Sequence, residues 1–84
     1  MMKRINGLDR IIEEKFREYC QRYRRKTGRE PNPNVIRDLV VEYIWRRPSL
    51  WYPHITRADG RVAWRKVFNY VTDRVADIVF RGDW

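Results

Sequence analysis

Apolar side chains recur every three or four residues in three long segments of this 84-residue chain. Such spacing places them on one side of an α-helix, whereas a half-buried strand requires alternation, and no alternating segment of useful length is present. Gly28 and Gly82 follow the first and third segments, and Pro48 ends the second. The chain is therefore predicted to be all-α. The predicted three-helix bundle spans about 7–27, 33–47 and 57–81 in a single domain.

The first segment has both a helix start and a core stripe. Asn6 is a good N-cap, and Asp9 lies in the first turn, where the helix dipole favours a carboxylate. The predicted core stripe contains Leu8, Ile12, Phe16, Tyr19, Cys20 and Tyr23, with Ile11 at its edge. Cys20 is the only cysteine, so it has no intramolecular disulfide partner, and we predict a buried, unreactive thiol.

The second segment is apolar around more than half of its circumference. Asn32 precedes it as a cap, and Pro33 occupies a first-turn position that tolerates proline. Val41 and Trp45 lie away from the side that carries Val35. A helix that is apolar on several sides is buried on several sides, so we expect it between the other helices or in a dimer interface, and we expect at least a dimer.

The third segment has an apolar stripe close to heptad spacing, which we assign to the core. The stripe contains Trp64, Val67, Phe68, Val71, Val75 and Ile78. Val62, Tyr70 and Phe80 lie far from it, so we expect them to be partly exposed or to contact a second chain.

Positive charge is concentrated in two blocks. The chain has a formal net charge of +8, of which residues 1–29 carry +6 and residues 46–66 carry +5, with negative charge elsewhere. Five cations fall within residues 22–29, at the end of the first predicted helix. A surplus of this size attracts polyanions, although an arginine-rich solvated surface, as in a thermophile or a GC-rich genome, is the simpler alternative.

Several function classes lack sequence support. The one histidine, His54, and the one cysteine cannot build a zinc site within a single chain. No glycine-rich phosphate loop is present, and Asp73 and Asp77 are better explained as a solvated helix face than as metal ligands. We therefore expect no enzyme activity, no cofactor and no metal. No apolar run is long enough to cross a membrane, so we expect location in the cytoplasm or inside a nucleoprotein particle such as a virion.

Residues 3–44 partly resemble the ribbon–helix–helix family of small dimeric DNA-binding proteins. Leu8-Asp9, Thr27-Gly28-Arg29 and Val35-Ile36-Arg37 stand where that family has a helix start, a turn and a second helix. The resemblance implies a short N-terminal ribbon strand, from which Arg4 and Asn6 would reach the major groove. Asn6-Gly7 departs from the alternation that the strand needs, and the third helix has no counterpart in the minimal family.

The second loop, residues 49–55, carries aromatic residues between arginines. Trp51 is expected either to close one end of the core or to face outward and contact a nucleic acid. The predicted nucleic-acid-binding residues are Arg4, Asn6, Arg10, Arg17, Arg22, Arg24, Arg25, Lys26, Arg29, Arg46, Arg47, Trp51, Arg57, Arg61 and Arg65.

We predict a small helical protein that binds double-stranded DNA mainly through backbone phosphates. It would be an architectural or nucleocapsid-like coat protein, or a transcriptional regulator. One alternative is an adaptor that docks on a partner through a patch of Val41, Trp45, Val62 and Phe80. Another is an RNA-binding protein that stacks bases on the aromatic loop, because the sequence does not separate DNA from RNA.

Overall fold

The structure, a computed structural model, describes residues 6–51, 64–82 and 84. These residues are all-helical and contain no strand. Their helices are α1 (Asn6–Thr27), α2 (Pro33–Trp45), α3 (Pro48–Trp51) and α4 (Trp64–Arg81). The predicted all-α class is confirmed, whereas the expected start of the third long helix, near 57, lies outside the described residues. No described helix has the length and apolar character that a membrane span requires.

The ends of α1 and α2 follow from local chemistry. Gly28 adopts φ 70°, a left-handed conformation that favours glycine, and its N–H donates to the carbonyl of Arg24 at 2.8 Å. Asn32 caps α2, because its side-chain oxygen accepts from the backbone N–H of Asn34 at 2.9 Å. Between these two ends the chain reverses, so α2 returns along α1.

The region after α2 corrects the prediction of a loop that starts at residue 49. α2 ends at Trp45 and Arg46 is its C-cap, two residues earlier than expected. Pro48 then begins the short helix α3, because a proline that ends one helix also suits the first turn of the next. Trp51 is 2% exposed, its indole N–H donates to the carbonyl of Ile44 at 2.9 Å, and its ring stacks on Trp45. It therefore closes one end of the core.

The long helices contribute most of the predicted stripes to one core, but Tyr23, predicted in the stripe of the first helix, is 36% exposed. The buried members of the core are Leu8, Ile12, Phe16, Cys20, Ile36, Val40, Val41, Ile44, Trp51, Val67, Tyr70, Val71, Val75 and Ile78. Cys20 is fully buried, as predicted, and burial raises the pKa of its thiol to about 11. Nothing is described of the Trp64 side chain.

Tyr70 was predicted to be partly exposed and is instead buried, with 4% of its surface exposed. The reason is a distant partner, since its hydroxyl donates to the carboxylate of Asp9 on α1. Asp9 and Arg74 also form an ion pair at 3.8 Å, and Arg81 reaches Glu13 at 3.5 Å. These contacts show that α4 runs parallel to α1. The side of α4 opposite its buried residues faces away from α1 and α2.

Candidate nucleic-acid interface

A group of cations without acidic partners lies where α1 ends. Arg25, Lys26 and Arg29 are all exposed. None of them forms an ion pair within the part of the chain that the structure describes, although most other described arginines do. We call these three residues the basic turn. Because no described carboxylate neutralises them, they are the cations most available to an external anion.

The backbone beneath the basic turn is held by hydrogen bonds between residues that are close in sequence. The hydroxyl of Thr27 donates to the carbonyl of Tyr23 at 2.9 Å and accepts from the N–H of Arg29 at 3.1 Å. Together with the Gly28 bond to Arg24, these contacts fix the path from the last turn of α1 to Arg29. The cations are therefore presented from an ordered backbone, which lowers the entropy lost on binding.

Arg24 lies within the same basic segment but has a structural role. Its guanidinium forms an ion pair with Glu30 at 3.0 Å and donates to the backbone oxygen of Trp84 at 2.8 Å. It also lies over the Trp84 ring, 5.4 Å from the centroid, while that ring contacts Phe16 edge-on. Arg24 therefore joins α1 to the following loop and to Trp84, and we exclude it from the candidate interface.

Arg10, Arg17 and Arg24 recur every seven residues and form a row along one side of α1, and the other two arginines of this row are also paired. Arg10 contacts Glu14 at 3.0 Å, and Arg17 contacts Glu13 at 2.9 Å, each one helical turn away. Arg22 lies 3.8 Å from Glu18, but that carboxylate also binds Lys15 at 3.1 Å. The row of Arg10, Arg17 and Arg24 is therefore largely neutralised within the chain, and Arg22 is only weakly paired.

A second basic group lies at the C-terminal end of α2. Arg46 forms an ion pair with Glu42 at 2.6 Å, and both side chains remain more than half exposed. Arg47 lies over the Tyr43 ring, 3.7 Å from its centroid, and donates to the Tyr43 carbonyl at 3.1 Å. Since α2 has 13 residues, this group lies about 20 Å from the basic turn at about 1.5 Å per residue.

A shallow groove of about 330 Å³ separates α1 from α2 beside the second basic group. Its lining includes Tyr19, Leu39 and Tyr43, of which Leu39 is 44% exposed. The tyrosine rings already have cationic neighbours: Lys15 lies 4.5 Å from the Tyr43 ring, and Arg22 lies 5.8 Å from the Tyr19 ring. A base that stacked on Tyr43 would have to displace Arg47 or Lys15, which makes the groove a poor stacking platform.

The remaining predicted site residues either lie outside the described part of the chain or lie away from the two basic groups. Arg4, Arg57 and Arg61 lie outside the described residues, as do the ribbon strand, His54 and Val62. Asn6 is the first residue of α1, and nothing is described of its side chain. Arg65 is exposed on α4, away from the basic turn, while buried Trp51 belongs to the core.

Sequence reasoning did not single out Tyr43 and Lys15, which contact each other beside the groove, or Lys66, which lies on α4 outside the candidate interface. Tyr43 was placed among the apolar residues of the second helix, but its i,i+4 spacing from Arg47 is a signal that it carries a cation. Lys66 follows Arg65 on the exposed side of α4, and neither forms an ion pair with any described residue.

Among the described residues no group of three or more His, Cys, Asp or Glu side chains is arranged to hold a metal ion. Comparison of the chain with protein-family models, with curated proteins and with solved structures gave no match.

Proposed function

We propose that this protein binds the phosphate backbone of duplex nucleic acid, with double-stranded DNA as the favoured partner. The observation that carries the proposal is the basic turn, in which three exposed cations lie together on a fixed backbone without an acidic partner among the described residues. Two of the three are arginines, whose planar guanidinium can donate two parallel hydrogen bonds to a phosphate.

The second basic group would provide a further contact. Arg46 and Arg47 lie at the opposite end of α2 from the basic turn. A separation of about 20 Å, from the helix rise, would let one backbone segment contact both groups. Contacts of this kind position a protein on a duplex without reading its sequence.

Duplex binding is favoured over base stacking by the state of the aromatic side chains. Arg47 and Lys15 lie close to the Tyr43 ring, and Trp51 is buried. A protein that reads single strands presents open aromatic faces, whereas here cations lie over the Tyr19 and Tyr43 rings of the groove. Stacking of RNA bases in this groove would therefore require side chains to move.

A non-specific backbone binder of this size fits an architectural or nucleocapsid-like coat role better than that of a regulator that reads bases. A base-reading mode would depend on Arg4 and Asn6, as the ribbon–helix–helix resemblance implies. For the adaptor alternative, Val41 is buried and Trp45 stacks on Trp51, so neither joins an exposed patch with Phe80.

The test is a titration of labelled duplexes of unrelated sequence with the variant Arg25→Ala/Lys26→Ala/Arg29→Ala, repeated at several salt concentrations. If each of the three cations contacts a phosphate, binding to every duplex weakens by similar factors. The slope of log affinity against log salt then flattens by about 2.7, since each contact contributes about 0.9.

The matched control is Arg10→Ala/Arg17→Ala, which removes two cations that are paired with glutamates. We expect this control to change the slope by less than about 0.9, the contribution of one phosphate contact. If the control flattened the slope and the basic-turn variant did not, the long side of α1 would be the interface and the proposal would be wrong.

A further inference from the structure

Phe80 is the most exposed large hydrophobic residue described, with 93% of its surface exposed. It is the penultimate residue of α4 and lies on the opposite side of that helix from buried Val71 and Val75. An aromatic ring held in water on an ordered helix loses the free energy that burial would supply. Burial of the ring by a partner would recover that free energy.

The exposed side of α4 has an ordered arrangement of charge around Phe80. We call this side the α4 outer face, and its exposed residues are Lys66, Asn69, Asp73, Ala76, Asp77 and Phe80. Lys66 lies near the N-terminal end of α4, and both carboxylates lie in the C-terminal half. Asp77 pairs with Arg74 at 3.1 Å but keeps 61% of its side chain exposed, so its carboxylate can accept from a second donor.

We infer that the α4 outer face is the contact between two copies of this chain, which pair antiparallel about a twofold axis. The opposite charges at its two ends favour this occupant, because an antiparallel copy places the basic end of each helix against the acidic end of the other. A twofold axis then makes each contact twice. The inference is independent of nucleic-acid binding.

The register follows from the positions of the charges along the helix. If the axis passes between residues 71 and 72, Lys66 of one copy lies opposite Asp77 of the other. Lys66 and Asp77 also lie on the same edge of the face at about 100° per residue, so a twofold rotation brings them together. Near the axis, the two Asp73 carboxylates lie about 4.5 Å apart along the helix, and the amide of Asn69 beside each of them must offset their repulsion.

Phe80 is covered in this register by the basic end of the other copy. Arg65 lies two residues, about 3 Å along the helix, from the point opposite Phe80, and helical side chains tilt toward the N-terminus of their own helix. In antiparallel helices this tilt brings Arg65 and Phe80 of the other copy toward each other. The guanidinium then lies over the ring, the same contact that Arg37 makes with Phe68 at 5.1 Å within the chain.

The test is the mass of the protein in solution, measured by sedimentation equilibrium over the micromolar range without nucleic acid. We expect a concentration-dependent species of twice the 10.4 kDa chain mass. Phe80→Lys should weaken the dimer by about a hundred-fold, because it removes an anchor at two places and puts a like charge beside Arg65 of the other copy. A wild-type protein that stays monomeric over this range would overturn the inference.

Charge exchange tests the register itself. Lys66→Asp and Asp77→Lys should each weaken the dimer by about ten-fold, since each creates two like-charged contacts, and the double variant should recover most of the loss. A double variant no better than the single variants would overturn the antiparallel pairing.

Val35→Lys is the matched control for Phe80→Lys. Val35 is 54% exposed on α2, so the control introduces the same charge on a different surface. We expect Val35→Lys to leave the dimer intact, and circular dichroism should show that both variants keep the helical content of the wild type. If Val35→Lys dissociated the dimer and Phe80→Lys did not, α2 would be the interface.

Discussion

Arg24→Ala and Arg25→Ala remove the same charge from adjacent positions, and we predict opposite consequences for stability and for binding. Arg24 makes a charged hydrogen bond to the Trp84 backbone oxygen at 2.8 Å and an ion pair with Glu30 at 3.0 Å, and it lies over the Trp84 ring. The hydrogen bond contributes about 1.5 kcal/mol, and the exposed ion pair and the ring contact about 0.5 kcal/mol each. Alanine recovers little of this through helix propensity, so Arg24→Ala should lower the free energy of unfolding by about 2 kcal/mol.

Thermal and urea unfolding followed by circular dichroism measures the difference between the two variants. For a domain of this size, a loss of about 2 kcal/mol lowers Tm by about 10 °C. Arg25→Ala should change the free energy of unfolding by less than about 0.5 kcal/mol, because Arg25 is exposed and contacts no described carboxylate. Arg25→Ala should instead weaken duplex binding, while folded Arg24→Ala should bind nearly as well as the wild type. Equal Tm values, or a binding loss confined to Arg24→Ala, would refute the assignment of Arg24 as a structural residue.

The further predictions concern three residues of the core. Cys20 should react with a thiol reagent far more slowly in the native protein than in denaturant, and a reaction at the same rate would contradict its burial. Because burial raises the thiol pKa from 9.0 to about 11, the stabilisation from a neutral buried thiol is complete below pH 9.0. It should be lost as pH rises toward 11, seen as a shrinking stability difference between wild type and Cys20→Ala. Tyr70→Phe should cost about 1–2 kcal/mol by removing the hydroxyl that donates to the Asp9 carboxylate, and urea midpoints equal to wild type would contradict this. Trp51→Phe should cost about 2 kcal/mol through the lost bond to the Ile44 carbonyl and lost volume, with duplex affinity unchanged; a selective loss of affinity would return Trp51 to the interface.

The helices could be predicted from the sequence because their signals are local. The apolar period, the Asn32 cap and the glycine after α1 each act within a few residues, and the structure confirms them. α3 was not predicted because a proline can both end one helix and begin the next. In this chain, the burial of Trp51 against α2 favours a helix that begins at Pro48.

The candidate site could be predicted only in part, since a sequence gives the position of a charge but not its partner. The cluster at the end of α1 was evident, but Arg24 and Arg25 looked equivalent. What separates them is Trp84, which lies 60 residues beyond Arg24 in sequence. The burial of Tyr70 was missed for the same reason, because the acceptor for its hydroxyl lies 61 residues away on α1.

The most direct test of backbone binding is the salt dependence of wild-type affinity for two unrelated duplexes and for a single strand of equal length. If the basic turn and the second basic group contact phosphates, log affinity should fall linearly with log salt. The slopes for the two duplexes should be equal, about 3–5 for three to five contacts, and the single strand should bind more weakly than either duplex. No duplex binding at low salt, a flat slope, or tighter binding of the single strand would contradict the account.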